Sequence, residues 1–289
     1  MSASRTFLLT TLAMIAFASN SLLCRVALKD TAIDAATFTA LRIGSGALAL
    51  WIIVRMRTSL APGGSWISAF WLFAYAAAFS FAYLSLTAGT GALLLFGAVQ
   101  ATMIGRGLLG GERLGAVQVA GLVLAFGGLA MLLAPGVSAP PVAGAALMLF
   151  AGFSWGLYSL RGRGAGDPTV VTAGNFVRAV PMALALFATM LPWSSLDARG
   201  VGFAVLSGAI ASGMGYAVWY TALRGLKATS AASVQLSVPA IAAFGGVIFL
   251  GEAVTVRLVV ASIAILGGVA MAIRPRGQPR AAGLPQRPR

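Results

Sequence analysis

Residues 111–135 read GERLGAVQVAGLVLAFGGLAMLLAP, and residues 251–275 read GEAVTVRLVVASIAILGGVAMAIRP. Set 140 residues apart, Gly111-Glu112 falls on Gly251-Glu252, Gly127-Gly128 on Gly267-Gly268, Ala130-Met131 on Ala270-Met271 and Pro135 on Pro275. Apolar sequence often matches itself by chance, but rarely at several glycine and polar anchors in one register. Earlier in each half a shift of 136 places Arg42 on Arg178 and Ala47-Leu48-Ala49-Leu50 on Ala183-Leu184-Ala185-Leu186. The chain therefore reads as a duplication, with an N-terminal repeat over 1–136 and a C-terminal repeat over 137–275. Residues 276–289 form a Pro/Arg-rich tail without apolar periodicity and are expected to be disordered.

What the repeat is made of follows from composition. Hydrophobic residues make up 59% of the 289 and charged residues 9%. A soluble domain needs about 25% charged residues to face water, so most of this chain must face lipid. A soluble enzyme, a disordered protein and a nucleic-acid binder are excluded, the last despite a net charge of +14. One cysteine, Cys24, rules out an internal disulfide, and the absence of histidine removes the usual material for zinc sites and histidine relays.

A membrane helix takes roughly 20 mostly apolar residues. Ten such segments are expected: 7–28, 34–54, 66–86, 90–109, 114–134, 142–160, 169–191, 200–223, 229–250 and 254–273. The fold class is an all-α integral membrane protein of ten helices. Segment 7–28 also has the outline of a signal peptide, but its apolar run continues past any small-residue cleavage site. Fourteen of the twenty cations fall on one side of the resulting topology and four on the other, with Arg42 and Arg178 inside spans. This positive-inside bias puts both termini in the cytoplasm. Five spans per repeat is an odd number, so the two repeats must enter the membrane from opposite sides. Inverted repeats of this kind build transporters with a site at mid-membrane.

With these features in place, the sequence resembles the drug/metabolite transporter superfamily, EamA type. The resemblance covers residues 7–273 and rests on ten spans, the five-plus-five repeat, an arginine in the second span of each half and Gly-Glu before the last span of each half. Within it, the chain is similar to the YddG-like aromatic amino acid exporters. The resemblance implies metabolite export across the bacterial inner membrane by alternating access, with a cavity lined from both halves, no enzyme activity and no cofactor. The expected partners are a small-molecule substrate and membrane lipid, with no nucleic acid, and the expected state is a monomer.

Polar groups inside spans are costly and each needs a reason. All six acids lie at or near span ends. Asp34 and Asp167 read as helix N-caps. Glu112 and Glu252 read as caps or salt bridges closing tight turns, or as gate contacts. With no mid-span acid and no histidine, transport is expected to be uncoupled from protons or only weakly coupled. Arg42 and Arg178 are candidate buried charges, either scaffold arginines bonded to carbonyls or a pair that binds a substrate carboxylate. The candidate substrate-binding residues are Asn20, Phe79, Tyr83, Gln100, Trp155, Tyr158, Trp219, Tyr220 and Gln235. The amides suit an amino acid's ammonium and carboxylate, and the aromatics suit a bulky side chain; helix–helix bonding and packing are the alternatives. Pro239 is read as a hinge in span nine and Pro181 as a break in span seven. Gly107-xxx-Gly111 and Gly208-xxx-Ser212 read as close-packing motifs. No catalytic or metal-binding residue is expected. The competing reading within transport is a broad-specificity efflux transporter for drugs and lipophilic cations.

Overall fold

The computed structural model describes residues 2–57, 63–111, 113–136, 139–162, 166–223, 225–226 and 234–273. Glu112, a gate candidate, and the tail from 274 onward lie outside the described residues. The described chain is helical, with no strand. In order come α1 (Ala3–Asp30), α2 (Ala35–Arg57), α3 (Trp66–Ala82), α4 (Ala88–Leu109), α5 (Ala116–Leu133), α6 (Val142–Gly162) and α7 (Pro168–Met190). The eighth span has three pieces: α8 (Ala198–Val205), a π-helical stretch (Leu206–Met214) and α9 (Gly215–Leu223). Helices α10 (Ser237–Leu250) and α11 (Val256–Ala272) complete it. Seven spans are long and apolar enough to cross a membrane, while α3, α10 and α11 are shorter apolar helices. The chain is a multi-pass membrane protein. Its outer faces carry Val123, Phe244, Phe249 and Ile263, each largely exposed, as lipid contact allows and water does not.

Caps start the helices. Asp34 accepts from the Ala36 and Thr37 N–H groups at 2.9 Å each, and Asp167 accepts from Thr169 and Val170. Both are the N-caps that the sequence suggested. Glycine ends α4 and α10 at repeat-related positions. Gly111 (φ +89°) and Gly251 (φ +60°) are left-handed, a conformation glycine adopts without a Cβ penalty. The Gly-Glu pair is thus, at its glycine, a helix terminator in both halves.

Glycine also sets two close crossings. A Cβ on Gly128 would meet Ala264 Cβ at 2.7 Å, and one on Gly121 would meet Met271 Cβ at 2.7 Å, so α5 and α11 pack backbone to backbone. A Cβ on Gly208 would strike the Arg42 carbonyl and Ser45 Oγ, so the π stretch lies directly on α2. Gly208-xxx-Ser212 therefore packs as read. Gly107-xxx-Gly111 does not: Gly111 is exposed at the helix end with open space around it, because α4 has already stopped there.

Residues 227–233 of the ninth span lie outside the described residues. Val234 and Gln235 are helical, a turn interrupts the span at Leu236, and α10 runs on from Ser237. Pro239 stands in the first turn after that interruption and has no N–H to offer the Gln235 carbonyl, so the interruption lies beside the proline read as a hinge. Pro181 does lie in the interior of α7.

The principal helix pairs are α5 with α11, α2 with α7, α4 with α10, α6 with α3 and α4, and α1 with the eighth span and α10.

Candidate functional site

The centre of the bundle is aromatic. Tyr75 and Phe79 recur on one face of α3, and Tyr83 is that helix's C-cap; their rings follow one another at 5.4 and 4.7 Å. Trp155 on α6 lies between the halves, 4.9 Å from Tyr75 and 5.2 Å from Tyr216 on α9. Phe17 and Phe176 back Tyr216 edge-on at 5.8 and 5.9 Å. Tyr75, Phe79, Trp155, Tyr216 and Phe17 surround a cavity of about 30 Å3 whose wall also includes Asn20, Ser21, Phe96 and Gln235. That volume is about one water molecule's share of liquid. No amino acid fits in it, so the chamber is closed in this conformation.

A chain of polar groups runs along one wall. Ser207 Oγ donates to Asn20 Oδ1 at 2.5 Å, Asn20 Nδ2 donates to Tyr75 Oη at 3.4 Å, and Arg42 Nη2 donates to the same Tyr75 oxygen at 2.9 Å. The Arg42 guanidinium also lies 4.7 Å from the Phe79 ring centre and 5.2 Å from that of Tyr75. Four spans, α1, α2, α3 and the eighth, meet in this network.

Arg178 behaves differently from its repeat mate. Its Nη1 donates to the Gly63 carbonyl at 2.6 Å and the Gly174 carbonyl at 3.0 Å. It ties α7 to the segment before α3 and has no part in the cavity wall.

One end of the chamber is latched. Arg25 Nε pairs with Glu252 Oε1 at 3.2 Å, and its Nη1 donates to the Tyr83 carbonyl at 2.8 Å. The other oxygen of Glu252 accepts from the Ala88 N–H at 2.8 Å, capping α4. Glu252 is thus salt bridge and cap at once, and it joins α1, α4 and the turn before α11. In the earlier register Arg161 stands 136 residues after Arg25. Arg25 holds the C-terminal end of α3, and Arg161 holds its N-terminal end through Ser68 Oγ at 3.3 Å.

Of the candidate substrate-binding residues, Asn20, Phe79, Trp155 and Gln235 share the cavity wall. Tyr83 is fully buried behind Phe79, with its hydroxyl donating to the Ala88 carbonyl at 3.3 Å. Tyr158 lies tilted against Trp155 at 5.4 Å, and Trp219 meets Phe17 edge-on at 5.9 Å, one layer back. Tyr220 packs against the core away from the wall. Gln100 belongs elsewhere: it lines a separate cavity of about 430 Å3 with Arg106, Gln118 and Ile273, one turn along α4 from Phe96. Tyr75, Tyr216, Phe17, Ser21 and Phe96 line the chamber without having been singled out. Tyr75 stands four residues before Phe79 and Tyr216 four before Tyr220, both singled out, and that spacing was the available signal. Among the described residues no cluster of three His, Cys, Asp or Glu side chains exists to hold a metal.

A closed, polar-tipped chamber walled by spans of both halves is the architecture of a membrane transporter. Comparison with known proteins narrows the class. Residues 142–274 match the EamA-like transporter family. An uncharacterized protein of Pseudomonas aeruginosa is 58% identical over 274 residues, 94% of this chain and 96% of that one. The chain belongs to the EamA-like transporter family of the drug/metabolite transporter superfamily. The threonine/homoserine exporter RhtA of Salmonella typhimurium is 36% identical over 154 residues, half of each chain. An uncharacterized transporter of Archaeoglobus fulgidus is 25% identical over 92% of this chain and 96% of its own length. A solved crystal structure superposes with a TM-score of 0.66 over 94% of this chain and 98% of that one, at 18% identity, which speaks for the fold alone.

Proposed function

We propose that this protein exports neutral amino acids, aromatic and other bulky ones foremost, across the bacterial inner membrane by alternating access between two inverted five-helix repeats. The observation that carries this reading is the chamber: aromatic walls suited to a bulky side chain, with amides and hydroxyls suited to an amino acid backbone. The inverted repeat draws support from the helix pairing. Exchanging the halves turns α5–α11, α2–α7 and α4–α10 into themselves, and α6–α3 into α1 with the eighth span. RhtA's role as an amino acid exporter supports the substrate class.

In this reading the protein works as a monomer with both termini cytoplasmic. The Arg25–Glu252 latch closes the periplasmic end, since α1 leaves the membrane there. Release of substrate requires the latch to part and α1 to move from the turn before α11. The chamber's wall has no carboxylate among the described residues, which supports transport that is uncoupled from protons or only weakly coupled. The same lack, together with the buried guanidinium of Arg42, counts against export of lipophilic cations.

The test is flux in proteoliposomes holding only the purified protein and loaded with labelled tryptophan, phenylalanine or threonine, with and without a pH gradient. Faster flux of the aromatic pair, indifferent to the gradient, is the expected result. Preference for threonine would move the substrate to the RhtA type. Absence of flux for all three would overturn the amino acid reading.

A further inference from the structure

Arg42 is 2% exposed, and among the described residues no carboxylate pairs with it. Its Nη2 bonds Tyr75 Oη, but its Nη1 is buried with no hydrogen-bond partner among those residues. A buried cation lacking both a counter-charge and part of its hydrogen bonding is costly, and folds rarely keep one without use. The two rings it stacks on, Tyr75 and Phe79, are themselves walls of the chamber. Tyr75 Oη already accepts from Arg42 and Asn20, so its own proton is free to donate. A guanidinium with an open Nη1, beside a hydroxyl with a proton to give, is a donor set matched to a carboxylate.

We infer that Arg42 is the anchor for the substrate's carboxylate, and that the transporter selects molecules bearing one. The inference rests on the exporter reading and sharpens it. A zwitterion places its carboxylate at Arg42 and Tyr75, its ammonium toward the Asn20 and Gln235 amide oxygens and the ring faces, and its side chain among Trp155, Phe96 and Tyr216. The missing counter-charge of Arg42 is then supplied by each substrate in turn. Amines and amides of the same size leave the guanidinium unpaired and bring a second positive charge beside it. Arg178 has no such role, because two backbone carbonyls already occupy it.

The test uses wild-type protein in proteoliposomes with labelled phenylalanine as the probe. Unlabelled 3-phenylpropionate, phenylalaninamide and phenethylamine compete from the loading side. The carboxylate should compete, and the amide and amine should compete at least about tenfold less well, the usual scale for losing a charged hydrogen bond. In Arg42→Gln phenylalanine flux should fall by a similar factor, and discrimination between acid and amide should collapse; Arg42→Lys should restore part of both. Ligand-induced thermal shifts in detergent give the same ranking independently of flux, and the wild-type series stands even where a variant fails to fold. Equal competition by acid and amide, or unchanged discrimination in Arg42→Gln, overturns the anchor while leaving the exporter. No flux of any amino acid by the wild type overturns the exporter reading, and the anchor with it.

Discussion

Arg42 and Arg178 stand 136 residues apart in matching stretches of sequence, yet one packs behind two rings of the chamber wall and the other is absorbed by the scaffold. The difference lies one turn earlier. Four residues before Arg178 is Gly174, whose missing side chain lets the Gly63 backbone press onto α7 and present its carbonyl to the guanidinium. Four residues before Arg42 is Phe38, a large and fully buried side chain where the other helix has none. No carbonyl reaches Arg42 there, and its side chain turns to Tyr75 and Phe79 instead. The matching stretches hold two arginines in like positions. The neighbour on the same helix face decides which of them stays available.

The most severe way to break this comparison is to remove each arginine. Arg42→Met should abolish most flux, at least about tenfold, while the protein stays folded, because a hydrophobic side chain of similar length packs where a charge was buried. Arg178→Met should do the reverse. Flux per folded molecule changes little, while unfolding in detergent becomes about 1–3 kcal/mol easier because the Gly63 and Gly174 carbonyls lose their donor. Gly174→Ala sharpens the point without touching either cation. Its Cβ would collide with the Gly63 carbonyl, so the segment before α3 must shift and stability should fall by roughly 1–3 kcal/mol.

The latch gives a milder test. Cys24 is the chain's one cysteine, buried and next to Arg25. Glu252→Gln removes the charge that holds Arg25, so a water-soluble maleimide should label Cys24 up to about tenfold faster than in the wild type. Unchanged labelling would show that the pair does not hold that end shut.

The smallest effect is expected from acid. Burial works against the charge on Asp34, but hydrogen bonds from the Thr37 hydroxyl and the Thr37, Ser195 and Ala36 N–H groups outweigh it and hold the carboxyl below its ordinary value. A depressed folded value stabilises the fold above the unfolded value of about 3.9, and that stability drains as pH falls through the folded value. Wild-type stability measured from pH 5 downward should therefore decline more steeply than that of Asp34→Asn. Equal slopes would mean that the clamp between Asp34 and Ser195 contributes nothing through charge.

Much of this architecture was legible in the residues. Apolar runs gave the helices, and Asp34 and Asp167 announced their caps. Local rules suffice for these because each feature is decided within a turn or two of chain. The chamber is decided between helices, and there the reading thinned. Tyr75 and Tyr216 stand one helical turn from the candidates Phe79 and Tyr220; that they, and not Trp219 or Tyr220, form the wall depends on how far each helix is rotated toward its neighbours. Gln100 has the same chemistry as Gln235, but it sits a turn beyond the chamber on α4. The inequality of the two arginines needed a contact across 115 positions of sequence, from Arg178 to Gly63.

The π stretch from Leu206 to Met214 has a mechanical consequence. Such wide turns hold more residues per revolution than an α-helix, so the eighth span carries slack between Ser207, bonded to Asn20, and Tyr216, in the chamber wall. An α-helix turns about 100° per residue. Taking a single residue of that slack back into α register would swing Tyr216 and Trp219 about a quarter-turn around the helix axis while Ser207 stayed where it is. The span is built like a screw with one loose thread: its lower part can rotate a wall of the chamber without the helix ever leaving its seat on α2.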